Sequence, residues 1–170
     1  ADLKDKKADT IFAAVAQRLR GAGIELLDST FLIKELMPKK GTLTRLEPGF
    51  SDWEDIYFGF DLAKALGHLD IGQTVAVRSK AVVAVEALEG TDNLIRRAAR
   101  LSRGSFTLVK VSKPKQDMRF DIPVVGLSTV KNLIKGKARC LAIEAEKTLF
   151  LDLQQSVNLA DRKGLAIVSL

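Results

Sequence analysis

The sequence predicts an α/β domain, layered, with a mixed β-sheet flanked by helices. Three observations predict it. Short β-branched runs alternate with helical segments whose apolar residues recur every three to four positions. At least one pair of runs is split by only two residues, which makes antiparallel neighbours, whereas helix-length separations make parallel ones. Apolar residues form 46% of the 170 positions and aromatics only 6%, so an aliphatic core of single-domain size is available.

Each element has its own justification. Ile11, Phe12, Val15, Ala16 and Leu19 recur at helical spacing, and Gly21 and Gly23 stop that helix. Residues 24–27 read as a short strand. Ser29 caps a short helix over 30–37 that Pro38 ends. Together these make a helix–strand–helix with little core of its own, the tail of an N-terminal domain over 1–40. Residues 39–49 carry two glycines and a proline without periodicity and read as a linker. Ser51-Asp-Trp-Glu54 is a capping-box pattern for a helix over 52–66, with Ile56, Phe60, Ala63 and Leu66 on one face. Gly67 stops it, and His68 falls just beyond. Trp53 and Tyr57, four apart, form a packing pair.

Residues 73–78 and 81–86, split by Ser79-Lys80, read as a hairpin. Thr91 then caps a helix over 92–101 that buries Leu94, Ile95, Ala98 and Leu101 beside a stripe of Arg96, Arg97, Arg100 and Arg103. Residues 106–111 form the next strand, and 113–121 a loop. Ser128 caps a helix to Lys135, stopped by Gly136. Residues 138–143 and 148–151 read as strands around a Glu146-Lys147 turn. A helix over 153–162 ends at Gly164, and 165–170 is a final strand. The second domain thus spans 41–170.

Composition narrows the chemistry. The formal charge of +6 favours anionic partners: nucleotides, nucleic acid or an acidic membrane surface. The chain has one histidine and one cysteine, which argues against imidazole-based nucleophilic catalysis and thiolate zinc sites. Cys140 sits in an apolar run and reads as a buried structural thiol in a reducing compartment. No apolar run approaches the roughly 18 residues of a membrane span. Walker, G-x-G-x-x-G, H-E-x-x-H, C-x-x-C and G-x-S-x-G patterns are absent.

What remains is carboxylate and cation chemistry in two loops that leave apolar strands. The first holds Glu86, Glu89, Gly90, Thr91 and Asp92; the second, with the strand that feeds it, holds Lys110, Lys113, Lys115, Gln116, Asp117, Arg119 and Asp121. Mixed charge of this kind suits a phosphate-bearing substrate held with a metal. Glu86, Glu89, Asp92, Asp117 and Asp121 are the acids available, and Lys110, Lys113, Lys115 and Arg119 would neutralise phosphate oxygens. Local roles compete: Thr91 as a helix cap, Asp92 on a helix dipole, Glu86 paired with Arg119 or Lys110, Asp121 as a turn acceptor. Asp117, in mid-loop among cations, has the fewest such roles and is the preferred catalytic acid. A non-enzymatic, basic nucleic-acid-binding or interaction domain is the alternative, motivated by the net charge and the arginine stripe.

The stretches VVAVEALEGTDNLIRR, LVKVSKPKQDMRFDIPVVG and CLAIEAEKTLFLD resemble the metal-dependent UDP-2,3-diacylglucosamine pyrophosphatases of lipid A biosynthesis. The likeness covers roughly 41–170, that family's C-terminal domain, and 1–40 resembles the end of its N-terminal domain. The resemblance implies hydrolysis of UDP-2,3-diacylglucosamine to UMP and 2,3-diacylglucosamine 1-phosphate, water attacking the phosphorus nearer uridine. It implies Mg²⁺ or Mn²⁺ as cofactor and work at the cytoplasmic face of a Gram-negative inner membrane, as a peripheral protein and possible homodimer, without nucleic acid. Carried over residue by residue, it implies Asp117, Glu86 and Asp121 as catalytic, with Asp117 and Glu86 on the metal. It implies Glu89, Gly90, Thr91, Asp92, Lys110, Lys113, Gln116 and Arg119 as substrate-binding. Glu146 and Leu153 depart from the family pattern outside these loops. Phe31, Leu32, Leu36 and Met37 serve either core packing or an acyl groove.

Overall fold

A computed structural model describes residues 8–114 and 117–170. The predicted α/β class holds: a six-stranded mixed sheet is flanked by helices on both faces. In chain order the elements are α1 (Ala8–Gly21), β1 (Gly41–Thr42), α2 (Phe50–His68), β2 (Thr74–Arg78), β3 (Ala81–Val85), α3 (Thr91–Ser102) and β4 (Thr107–Lys110). There follow β5 (Val124–Val125), α4 (Leu127–Lys135), β6 (Cys140–Ile143), β7 (Leu149–Phe150), α5 (Leu153–Lys163) and β8 (Ala166–Ser169). The main sheet runs β1-β8-β6-β4-β2-β3.

Strands β4, β6 and β8 are parallel, and β2 is antiparallel to both β3 and β4. It follows that β3 runs the same way as β4. The carboxyl ends of β3, β4, β6 and β8 therefore share one edge, where open α/β sheets characteristically bind ligands. Side chains alternate between two apolar layers. Ala76, Ala84, Leu108, Leu141 and Ile167 face Leu94, Ile95, Ala98, Val130, Leu133 and Ala160 of α3, α4 and α5. Val75, Val77, Val109, Ala142 and Val168 lie in the other layer with Ile56 and Ala63 of α2. Gly59 of α2 allows the close approach: a Cβ there would sit 2.8 Å from Val109 Cγ2. Cys140 is fully buried, and burial pushes its thiol up, which fits a structural role.

The β2–β3 turn is clamped from across the sheet. Ser79 and Lys80 both have positive φ, and their amides donate to the buried Asp55 carboxylate at 3.1 and 2.7 Å. Trp53 and Tyr57 stack with ring centroids 5.6 Å apart, as expected.

Several local expectations are corrected. Residues 24–28 join no strand ladder among the described residues. The helix expected over 30–37 reduces to a single 3₁₀ turn, Lys34–Leu36. There Asp28 takes the Thr30 amide and hydroxyl at 2.7 and 2.6 Å, a local bond that competes with helix formation. The supposed linker contributes β1, which pairs antiparallel with β8 and forms the sheet edge. Helix α2 begins earlier than expected, and Asp52, not Glu54, accepts from the Gly49 amide at 3.0 Å. His68 is the last residue of that helix rather than lying beyond it. Leu101 is exposed and Ser102 takes the buried place, its hydroxyl donating to the Ala98 carbonyl at 2.7 Å. Helix α4 starts at Leu127 after Gly126, so Ser128 is inside the helix rather than its cap. Strand β7 does not pair with β6, because both edges of β6 are taken by β4 and β8; it pairs in parallel with β5 in a separate two-stranded sheet.

Candidate diphosphate site

Sheet register assembles the first half of the site. Glu86 donates its amide to Thr74 O at 2.9 Å, and Thr74 is the Cα partner of Lys110. Glu86, Thr74 and Lys110 thus form one row across three strands. Alternation puts Glu86 on the face of Ala84, Thr74 on that of Ala76 and Lys110 on that of Leu108, the layer covered by α3. All three are buried. The two outer positions lie about 9.6 Å apart, two strand spacings.

Thr91 bridges that gap. Lys110 Nζ donates to Thr91 Oγ1 at 2.8 Å, and Thr91 Oγ1 donates to Glu86 Oε1 at 2.6 Å. Thr91 is not the helix cap expected; that place belongs to Gly90, whose φ of 78° is a conformation few residues besides glycine adopt. Moved one position inward, Thr91 directs its hydroxyl at the two strand ends. Beneath the bridge, the Thr74 hydroxyl is buried and has no hydrogen-bond partner among the described residues. Burial pushes the Lys110 ammonium down from its ordinary value, and the charges of Glu86, Asp121 and Asp92 push it back up. Both loops therefore converge on Lys110. An ammonium has three donors, and Thr91 is the hydrogen-bond partner found for it among the described residues.

The other expected residues lie around this bridge. Glu89 accepts from Arg97 at 2.5 Å and from the Ala87 amide at 3.0 Å; its own backbone amide, then Arg97, hold its carboxyl below the usual range. Arg97 also donates to Val85 O at 2.6 Å, tying α3 to β3. Lys113 pairs with Asp70 at 2.6 Å. Asp117 and Arg119 form a two-point pair: Nε to Oδ1 at 2.9 Å and Nη2 to Oδ2 at 2.7 Å. The bond from the Arg119 side chain holds the Asp117 carboxyl below its ordinary value. The amide of Asp121 donates to Asp117 O at 3.2 Å, closing the turn that places both acids. Gln116 and Lys115 lie outside the described residues.

Two features escaped the sequence reading. The N-terminal segment braces the second loop: Ser29 donates its amide to Met118 O at 3.1 Å and its hydroxyl to Arg119 O at 2.6 Å, and Phe12 stacks on Phe120 at 5.0 Å. A second buried cluster fixes the start of that loop. Glu144 accepts from Lys64 at 2.5 Å, Lys147 at 2.9 Å, and the Ser112 amide and hydroxyl at 2.8 Å each. Burial alone would raise the Glu144 carboxyl, yet these bonds together hold it low. Gly67 lets the chain pass here, since a Cβ would meet Lys113 Cα at 3.3 Å. The acid of CLAIEAEK was visible, but no spacing pairs it with residues 32 and 80 positions away.

Among the described residues, no group of three or more His, Cys, Asp or Glu side chains converges as a complete metal cage. The oxygen donors Glu86, Asp92 and Asp121 around Lys110 suit a hard cation that takes one or two carboxylates and completes its shell with water and phosphate. Asp117 has both carboxylate oxygens engaged by Arg119.

The family described as the LpxI C-terminal domain matches residues 39–168. The chain belongs to this family. It is also 30% identical, over 171 aligned residues, to the UDP-2,3-diacylglucosamine pyrophosphatase LpxI of Caulobacter vibrioides. That alignment covers 96% of this chain and 61% of the relative, so the chain spans about three fifths of the relative's length. The family match contains both loops, the Lys110–Thr91–Glu86 bridge and Glu144.

Proposed function

We infer that this chain carries the diphosphate-handling site of a UDP-2,3-diacylglucosamine pyrophosphatase, the activity named for the Caulobacter relative. The products would be UMP and 2,3-diacylglucosamine 1-phosphate, in lipid A biosynthesis. The observation that carries the reading is the bridge that joins both family-matched loops through a buried lysine at the carboxyl edge of the sheet. A diphosphate develops charge on its oxygens as the P–O bond breaks, and a partly desolvated ammonium is well placed to offset it.

Residue roles follow from the surroundings. Lys110 neutralises phosphate oxygens, and Thr91 and Glu86 hold its ammonium in place. Lys113 and Arg119 add positive charge at the rim. Asp117, kept ionised by Arg119 at rest, accepts the proton of the attacking water once Arg119 turns from it to a phosphate oxygen, with Asp121 beside it on the same turn. Gly90 and the first turn of α3, with Asp92 and Glu89, shape the opposite wall. Mg²⁺ or Mn²⁺, when bound, would screen the diphosphate charge. Glu86 is the carboxylate placed to hold it, whereas Asp117 would first have to release Arg119. Residues 1–40 are read as the end of a preceding domain, whose Phe12 and Ser29 brace the 117–121 turn.

The choice of phosphorus rests on the family resemblance. Hydrolysis in ¹⁸O-water reads it: label in UMP supports attack on the uridine side, and label in the sugar phosphate overturns that detail. The reading itself is tested by UMP release with and without divalent cation, in the native protein and in Asp117→Ala and Asp117→Asn. Loss of about 100-fold or more in both variants is expected; an unchanged rate in Asp117→Asn removes Asp117 from the chemistry.

A further inference from the structure

Apart from the bridge, a groove of about 790 Å³ lies between α3 and α4. Arg96, Arg97, Arg100 and Lys135 line it, with Glu89 at one end and Asn93 and Asn132 along it. The two helices carry five cations and one acid, Asp92, so positive charge is concentrated here relative to the chain as a whole. Arg97 is occupied by Glu89 and Val85. Arg96, Arg100 and Lys135 are exposed and have no carboxylate partner among the described residues. Cations left unpaired around a concave surface are what phosphate groups bind.

Two observations choose among phosphate-bearing partners. No Phe, Tyr or Trp lines the groove, so it lacks the stacking platforms used for single-stranded nucleic acid. Exposed leucines accompany the cations instead: Leu88 is fully exposed in the loop that precedes Glu89, and Leu101 is 63% exposed on α3. A basic helix surface accompanied by exposed aliphatic side chains is the pattern of a protein that lies on an anionic bilayer. We propose that the α3–α4 groove binds the phosphate headgroups of anionic lipids and so docks this face on a membrane, with Leu88 entering the interface. Glu89 belongs both to the groove and to the first loop, so the docked face adjoins the candidate diphosphate site. The proposal does not depend on the pyrophosphatase reading, because its test measures partitioning and not hydrolysis.

The experiment is co-sedimentation of the 170-residue chain with vesicles of phosphatidylcholine alone or with 30% phosphatidylglycerol. The expected result is binding only to the anionic vesicles, weakening as salt rises. The triple variant Arg96→Gln, Arg100→Gln, Lys135→Gln is expected to bind about 100-fold more weakly, from roughly fivefold for each basic residue near an anionic surface. Arg162→Gln, an exposed cation on α5, is expected to bind like the native chain, and Leu88→Ser several-fold more weakly. Equal binding to neutral vesicles, or native affinity in the triple variant, overturns the proposal. So does displacement by inorganic phosphate at millimolar concentration or by single-stranded RNA at equal phosphate, which assigns the groove to a soluble anion or to nucleic acid.

Discussion

Two buried charge clusters sit on the same edge of the sheet, and they are built in opposite ways. At the end of β6, Glu144 is a single carboxylate saturated by two lysines, an amide and a hydroxyl. At the end of β4, Lys110 is a single ammonium amid three acids, with one hydroxyl bonded to it among the described residues. A saturated buried charge has no capacity left for a ligand; it locks the chain segments that supply its partners. An under-bonded one at a strand end keeps donors for something else. The difference separates scaffold from site where sequence shows only charged residues at strand ends.

That contrast can be broken by substitution. The largest effect is expected from Lys110→Met: UMP release falls about 100- to 1,000-fold, the range for losing one preorganised donor to developing oxyanion charge. Folding stability, read by denaturant titration, is kept or raised, because a partly desolvated ammonium has gone. Glu144→Gln is expected to do the reverse, costing about 3 kcal/mol of stability by leaving the half-buried Lys64 without its counter-charge. Its pH signature has a definite sign. The folded Glu144 carboxyl is held below 4.5, so its stabilisation is full above that value and is lost as pH falls through the lower folded one. The native protein should lose stability over that acid window, and the variant should lose less.

Thr91→Val comes next. It keeps the β-branched shape but removes the bridge, and should lower turnover about tenfold. A larger loss of stability than of turnover would make Thr91 a structural residue. Smallest is Lys147→Gln, below about 1 kcal/mol, since that lysine is 56% exposed and Glu144 retains Lys64 and Ser112. A cost near that of Glu144→Gln would mean that the cluster's strength lies at its surface.

Legibility in the sequence followed the range of the interactions. Helices α3, α4 and α5 and the β2–β3 hairpin were readable because their signals repeat within a few residues: an apolar stripe at 94, 95 and 98, or two turn residues between β-branched runs. Residues 24–37 were misread because a local Asp28–Thr30 bond outweighs weak helical periodicity. The partners of β1 and β7 were unreadable for another reason. A two-residue strand carries no pattern, and its pairing depends on which sheet edges other strands leave open. The residues of both loops were legible as chemistry, whereas the role of Thr91 turned on a one-residue shift in where α3 begins.

The amino-acid order alone determined the layered α/β class, the two charged loops and the inert, buried cysteine, since each depends on residue type and on spacing of a few positions. Only the folded chain decided that Thr91 joins Lys110 to Glu86, that Glu144 is a lock and that an arginine groove opens between α3 and α4. Those facts depend on strand register and on direction across the sheet, which bring together side chains that are 19 to 80 positions apart and carry no mark of each other in the sequence.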